Sequence, residues 1–399
     1  MYSIVRETAF EKIGLDGRMF GSNPKGIIKY IRELCITLDA LLAEAEFFVY
    51  ARTPVTLPVV SSRWHLRVDE SIAGRRLPSS IWLALRAGFI ARADKLDVFW
   101  GGTGLLPLLG LRSRAVLTVH DLAYRIVPQT CSGRALWSAR LFFRRSLARA
   151  DAVLANSNGT ARRLKEAFNR SSTAIVRPGL SPLFRPASES EIDTTILRLG
   201  VKRPYLLSIA TREPRKNLSL LIRTFLGMRK QGLISAHELV LAGDRGWKDE
   251  AIRTAIAEAG DSVRDVGYVA EDQLAALYTG ADAFVFPSKY EGFGMPVLEA
   301  LSCGARVVTT DSPELREAGG QNAVYISPTE EGLRRGILHA LASPRPTLLT
   351  FGNHSWEQSA SAMADVFRRL IRANNDDNRA QLLRNTTQGK IELVPSTRK

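Results

Sequence analysis

Short apolar runs recur along this chain, each closed by glycine or a small polar cluster and each followed by a stretch with helical spacing. Ala283 to Phe286 is apolar on both faces, as a parallel strand covered by helices on either side must be. Similar runs lie at Lys12 to Arg18, Ala115 to Leu122, Asp151 to Ala155, Tyr205 to Ile209 and Glu238 to Ala242. Helices are predicted after Gly26, from about Leu218, and over Glu271 to Tyr278. Strands alternating with amphipathic helices predict α/β layers. With 399 residues there is room for two such domains. The pattern divides at Ser181 to Asp193, rich in proline, serine and acid, which places one domain at residues 1–187 and another at 200–355. Helical spacing returns over 356–373, and the polar, poorly patterned residues 374–399 are expected to form a flexible tail.

The densest chemistry follows the run at Ala283. Gly292 and Gly294 let backbone approach a ligand closely, and Pro296 suits the first turn of a helix. Free amides around Phe293 and Met295 would face the crevice above the strand ends, where α/β sheets bind ligands and anions are stabilised. Glu291 and Glu299 flank that helix start. Carboxylates repel a diphosphate, so these two are expected to accept hydrogen bonds from hydroxyls, such as a ribose diol and a transferred sugar. Upstream, the loop Arg212-Glu213-Pro214-Arg215-Lys216-Asn217 puts cations where a strand gives way to a helix, suited to a leaving diphosphate.

The segment Ser288-Lys289-Tyr290-Glu291-Gly292-Phe293-Gly294-Met295-Pro296-Val297-Leu298-Glu299-Ala300 resembles the signature of the retaining glycosyltransferases of family 4, also called group 1. The Glu-Pro-Arg-Lys-Asn loop resembles that family's phosphate loop. Gly243 in Leu-Ala-Gly and Gly267-Tyr268-Val269 resemble its third and fourth segments, the latter presenting backbone to the nucleobase. In the first half, Lys25-Gly26-Ile27 resembles the glycine turn that approaches donor phosphates, although Ile28 replaces the usual second glycine. His120-Asp121-Leu122 resembles the segment whose histidine contacts the transferred sugar, with Asp121 a cap or an acceptor-side group. Asn156-Ser157-Asn158-Gly159-Thr160 and Arg177-Pro178-Gly179 match an architectural helix start and turn.

The resemblance implies two Rossmann-like, doubly wound domains facing each other across a cleft, the GT-B type, with the 356–373 helix crossing back to the first. It implies a nucleotide-sugar co-substrate, GDP-mannose before a UDP-sugar, and no other cofactor. His120, Lys216 and Glu291 become the catalytic candidates. Donor-binding candidates are Gly26, Lys216 with Arg212 or Arg215, Gly243, Tyr268, Val269, Glu291, Gly292, Phe293, Gly294, Met295 and Glu299. The chain has no Asp-x-Asp pair of the kind that holds a divalent ion on a diphosphate, so a metal site is not expected. An epimerase or a non-catalytic relative of the same fold is the alternative, because fold does not fix function.

Charge changes this picture by its location. Between Ala51 and Arg185 stand 22 Lys and Arg against 7 Asp and Glu, which accounts for the whole formal charge of +15. Aromatic and basic residues mix at helical spacing in Ser80 to Arg92 and in Arg134 to Arg149, a composition suited either to an anionic lipid surface or to a core-facing helix with a solvated basic back. The resemblance implies that the first domain takes the acceptor, so a glycan or lipid-linked oligosaccharide is its expected partner. Nucleic acid is set aside as a partner: no zinc-finger, RNA-recognition or repeat signature appears, and the basic excess lies away from the motif-rich half. Cys35, Cys131 and Cys303 are too few and too scattered for a disulfide framework or a zinc cluster. The start of the chain lacks a signal-peptide pattern and no apolar run is long enough to span a bilayer, so the expectation is a cytoplasmic protein at the inner face of the membrane.

Overall fold

The computed structural model of the chain describes residues 11–21, 26–346 and 354–388. Among the described residues thirteen strands form two sheets, the second of them parallel throughout. The first sheet contains β1 Lys12–Asp16, β2 Glu46–Ala51, β3 Trp64–Val68, β4 Val98–Gly101, β5 Arg114–Val119, β6 Ala152–Ala155 and β7 Ala174–Ile175, in the order β3-β2-β1-β4-β5-β6-β7. The second contains β8 Tyr205–Ile209, β9 Glu238–Ala242, β10 Val263–Gly267, β11 Ala283–Phe286, β12 Val307–Thr310 and β13 Ala323–Ile326, in the order β10-β9-β8-β11-β12-β13. Both are doubly wound. Strand order reverses once in each, between β1 and β4 and between β8 and β11, and a crevice opens above the carboxyl ends at such a point.

Burial explains the strand composition. Val98, Phe99, Val153, Leu154, Phe284 and Val285 are fully enclosed, since helices cover both sheet faces. The second sheet separates two apolar layers, one built around Tyr278, Phe284, Phe286 and Leu301, the other around Phe225, Leu239, Val285 and Ile337.

The chain folds as two compact units. One comprises residues 1–118, 142–154 and 360 onward, and the other residues 119–141 and 155–359. The helix Trp356–Gln388 therefore begins in the second unit and continues in the first. It also corrects the expected tail, because backbone from Asn374 to Gln388 is helical; residues 389–399 lie outside the described ones. The helix Glu189–Leu199 likewise takes the end of the presumed connecting segment, its start fixed by a capping box of Ser188 and Glu191.

The two basic segments each divide between core and surface. Ser80 to Arg92 is not one regular helix: Ser79–Trp82 passes through a wide π turn at Leu83–Ala87 into Gly88–Ile90. Trp82 is in the core rather than on a surface, its indole donating to Asp69 Oδ2 at 2.8 Å, while Leu85 and Phe89 are exposed. In Gly133–Arg149, Phe142 and Phe143 are core residues and Trp137 and Leu141 are exposed.

Candidate functional site

The reversal point of the second sheet carries the predicted motif. Loops after β8 and β11 flank it and are laced together by backbone: Lys289 N–H donates to the Arg215 carbonyl at 2.8 Å, and Arg215 Nη1 donates to the Tyr290 carbonyl at 2.8 Å. Between them lies a buried charged cluster. Lys216 Nζ donates to Glu291 Oε1 at 2.7 Å, Arg215 Nη1 to Glu291 Oε2 at 2.7 Å, and Arg215 Nη2 to Glu213 Oε1 at 2.6 Å. Ser288 Oγ completes it with a 2.5 Å bond to Glu291 Oε1.

Sequence reasoning placed free cations and a hydroxyl-binding carboxylate here; the structure joins them. Two cations face two carboxylates, so the cluster is close to neutral. Burial pushes the Glu291 carboxyl up, but Arg215 and Lys216 beside it outweigh that and hold it at about 2. Burial draws the Lys216 ammonium below its ordinary value, with the Glu291 carboxylate opposing. An anion arriving at Lys216 must therefore compete with Glu291.

Anion-binding capacity remains in the backbone. The helix Met295–Ser302 starts from Gly294 at φ +116°, a left-handed conformation that glycine adopts without strain, and has no side-chain cap. Among the described residues the amides of Phe293, Gly294 and Met295 donate to no acceptor. They and the helix dipole can hold a negative group. Glu299, one turn on, is buried and accepts from Tyr278 Oη at 3.2 Å. Burial raises the Tyr278 hydroxyl far above its ordinary pKa, so it stays a donor.

The other candidates take varied places. Arg212 turns away from Glu291, donating to Asp265 Oδ1 at 2.5 Å and to the Gly243 carbonyl at 3.2 Å. Gly243, at φ +129°, donates to the Gly267 carbonyl at 2.6 Å and sits where a side chain would strike the Ala210 backbone, which draws the ends of β8, β9 and β10 together. Tyr268 is 57% exposed while Val269 is buried. Gly26 begins the Ile27–Leu41 helix of the other unit at φ +46°; Lys25 beside it lies outside the described residues.

His120 is buried, and its carbonyl abuts Gly292 so closely that any side chain at 292 would overlap it. The segment carrying it is pinned in place, since Leu122 N–H donates to Tyr290 Oη at 2.9 Å. Asp121 Oδ1 accepts from Ala123 N–H at 2.9 Å, while the short helix that follows has Leu122 at its N-cap and no side-chain cap.

Several contributors were not singled out. Ser157 Oγ and Thr160 Oγ1 donate to the Gly292 carbonyl at 2.7 and 3.0 Å, so the architectural helix start also fastens the glycine loop. Glu213, Ser288 and Tyr290 stood inside quoted motifs, yet only their three-dimensional partners reveal their work. The Arg177-Pro178-Gly179 turn packs against Trp356, with no room for a side chain at 179. Among the described residues no helix is long and apolar enough to cross a membrane.

Comparison with known proteins bears on this arrangement. The family model Glycosyltransferase Family 4 matches residues 24–182, and the model Glycosyl transferases group 1 matches residues 190–358. O-antigen chain mannosyltransferase B of Escherichia coli is 30% identical over 256 residues, which is 62% of this chain and 64% of that protein. Serotype-specific mannosyltransferase WbdA of Escherichia coli is 26% identical over 310 residues, 72% of this chain and 37% of that protein. The chain thus spans less than two thirds of either relative. Sucrose-phosphate synthase from Thermosynechococcus elongatus superposes with a TM-score of 0.74 at 20% identity, over 91% of this chain and 100% of that one. HepE from Anabaena, solved with UDP and glucose, gives 0.62 at 17% identity over 94% and 99%. At such identities the likeness is one of fold. With one family model on each half and a doubly wound parallel sheet beneath each, the chain belongs to the two-domain glycosyltransferases of the GT-B fold.

Proposed function

We propose that this protein is a retaining hexosyltransferase that moves mannose from GDP-mannose to a hydroxyl of a glycan or lipid-linked glycan. The observation that carries this reading is the pairing of Lys216 and Arg215 with Glu291 beside three unpaired amides at the reversal point of a doubly wound sheet. The donor's diphosphate takes Lys216 and Arg215 and the amides of Phe293 to Met295, displacing Glu291, which turns to hydroxyls of the sugar. Glu299, oriented by Tyr278, receives the ribose diol. Val269 and the exposed Tyr268 flank the base, and His120 meets the sugar near the reacting carbon. The mannosyl assignment is supported by relatives named as O-antigen mannosyltransferases, and a UDP-sugar is the second choice.

In the reaction the acceptor oxygen bonds to the anomeric carbon, the bond from that carbon to the β-phosphate oxygen breaks, and the acceptor's proton passes to the leaving phosphate. Negative charge grows on that phosphate, so fixed cations and a helix start stabilise the transition state more than the ground state. With Glu291 turned to the sugar hydroxyls, the acceptor attacks from the front face, assisted by the leaving phosphate rather than by a carboxylate nucleophile. The acceptor's lipid partner is an anionic membrane, met by exposed Leu85, Phe89 and Leu109 with Arg92 stacked on Phe89 at 4.6 Å. Incubation with GDP-mannose and alkyl mannosides tests the assignment: an α-linked product by NMR supports it, and conversion of the nucleotide sugar without an acceptor indicates an epimerase instead.

A further inference from the structure

The first sheet reverses order between β1 and β4, the place corresponding to β8 and β11 where the second sheet carries its charged cluster. Glycines line it. The loop after β4 reads Gly101-Gly102-Thr103-Gly104, with Gly104 at φ +82° and with Gly101 pressed against the Leu105 carbonyl, leaving no room for a side chain. After β1, Gly17 packs on β2, donating to the Tyr50 carbonyl at 2.9 Å. The Ile27–Leu41 helix starts from the same loop without a side-chain cap.

Into this crevice the chain places a polar triad. Arg18 Nε donates to Asp16 Oδ1 at 2.8 Å and Arg18 Nη2 to Asp16 Oδ2 at 2.7 Å, a two-pronged fork. Thr103 Oγ1 donates to Asp16 Oδ2 at 2.6 Å and accepts from Arg18 Nη2 at 2.7 Å. The Asp16 side chain is fully buried and that of Arg18 only 9% exposed. Buried ion pairs seldom repay their desolvation by stability alone, so a pair kept at a ligand-binding position calls for another reason. One part of the triad is unused: among the described residues Arg18 Nη1 has no acceptor.

We infer that Asp16, Arg18 and Thr103 form a sugar-hydroxyl subsite of the first unit, which binds the acceptor glycan. Charge decides the ligand class. The fork cancels the guanidinium charge, so a phosphate finds little net attraction, whereas Nη1 donors beside the Thr103 oxygen match the oxygens of adjacent sugar hydroxyls. The inference rests on the transferase reading for its role but concerns residues separate from the donor site.

The test uses the full chain with octyl α-D-mannopyranoside as acceptor probe and GDP-mannose as donor, each titrated separately by calorimetry and saturation-transfer NMR. Thr103→Val removes a hydroxyl without leaving a buried charge, and Asp16→Asn with Arg18→Gln removes both charges together. Each is expected to weaken octyl mannoside binding at least tenfold and raise the acceptor KM equally, with GDP-mannose affinity and melting temperature near wild type. Unchanged octyl mannoside affinity in both variants overturns the subsite, as does a wild-type chain that binds GDP-mannose but no octyl mannoside. A wild-type chain that binds neither overturns the transferase reading itself.

Discussion

Replacing Glu291 by glutamine keeps the shape of the side chain and removes its charge, leaving Lys216 and Arg215 with Glu213 as their remaining close carboxylate. In the folded chain the Glu291 carboxyl is held at about 2 against an ordinary 4.5. That difference corresponds to about 3 kcal/mol favouring the charged form, at 1.36 kcal/mol per pH unit. Since the folded value lies below the unfolded one, this stability is complete above about pH 4.5 and is lost as pH falls towards 2. Glu291→Gln should therefore melt several degrees below wild type at pH 7, and the gap should narrow as pH falls below 4.5. The same change frees Lys216 from a competing anion, so GDP should bind at least about tenfold more tightly, a gain of about 1.4 kcal/mol. Transfer should nonetheless fall, because the sugar loses its carboxylate. Calorimetry with GDP and scanning calorimetry at pH 7 and pH 4 measure both effects. Unchanged melting at pH 7 together with unchanged GDP affinity would refute the counter-ion reasoning.

Other consequences follow from the same geometry. Lys216→Ala should lower transfer about 10² to 10³-fold, the usual cost of removing one preorganised stabilising group, as read by steady-state rates. Gly292→Ala forces a methyl into the His120 carbonyl and should destabilise by about 1 to 3 kcal/mol in denaturant titration. Transfer should persist in EDTA, because lysine, arginine and amides serve the diphosphate; loss of turnover restored by manganese would count against this. Phe89→Glu should reduce flotation with vesicles containing phosphatidylglycerol and leave binding to neutral vesicles at its low level.

Much of the fold was legible because parallel strands buried on both faces must be apolar throughout, so runs such as Ala283–Phe286 mark themselves. The glycine loop and basic loop were legible because each is local in sequence. What joins them is not. Tyr290 meets Leu122 across 168 positions and Ser157 meets Gly292 across 135, and no local pattern encodes such contacts. The neutral character of the Lys216 cluster was hidden for the same reason, since Glu291 lies 75 positions away. The helix beyond Asn374 was misread for a different reason. Its polarity suggested a tail, but no glycine or proline interrupts Trp356–Gln388, and alanine, leucine, arginine and glutamine favour helix regardless of polarity.

The most direct measurement is an isothermal titration of the full chain with GDP-mannose, UDP-glucose and dTDP-glucose. Saturable heat with one of them, abolished in Lys216→Ala, is the predicted result. Absence of heat with all three, or equal affinity in wild type and Lys216→Ala, would contradict the claim that the β8–β11 crevice holds a sugar nucleotide by its diphosphate.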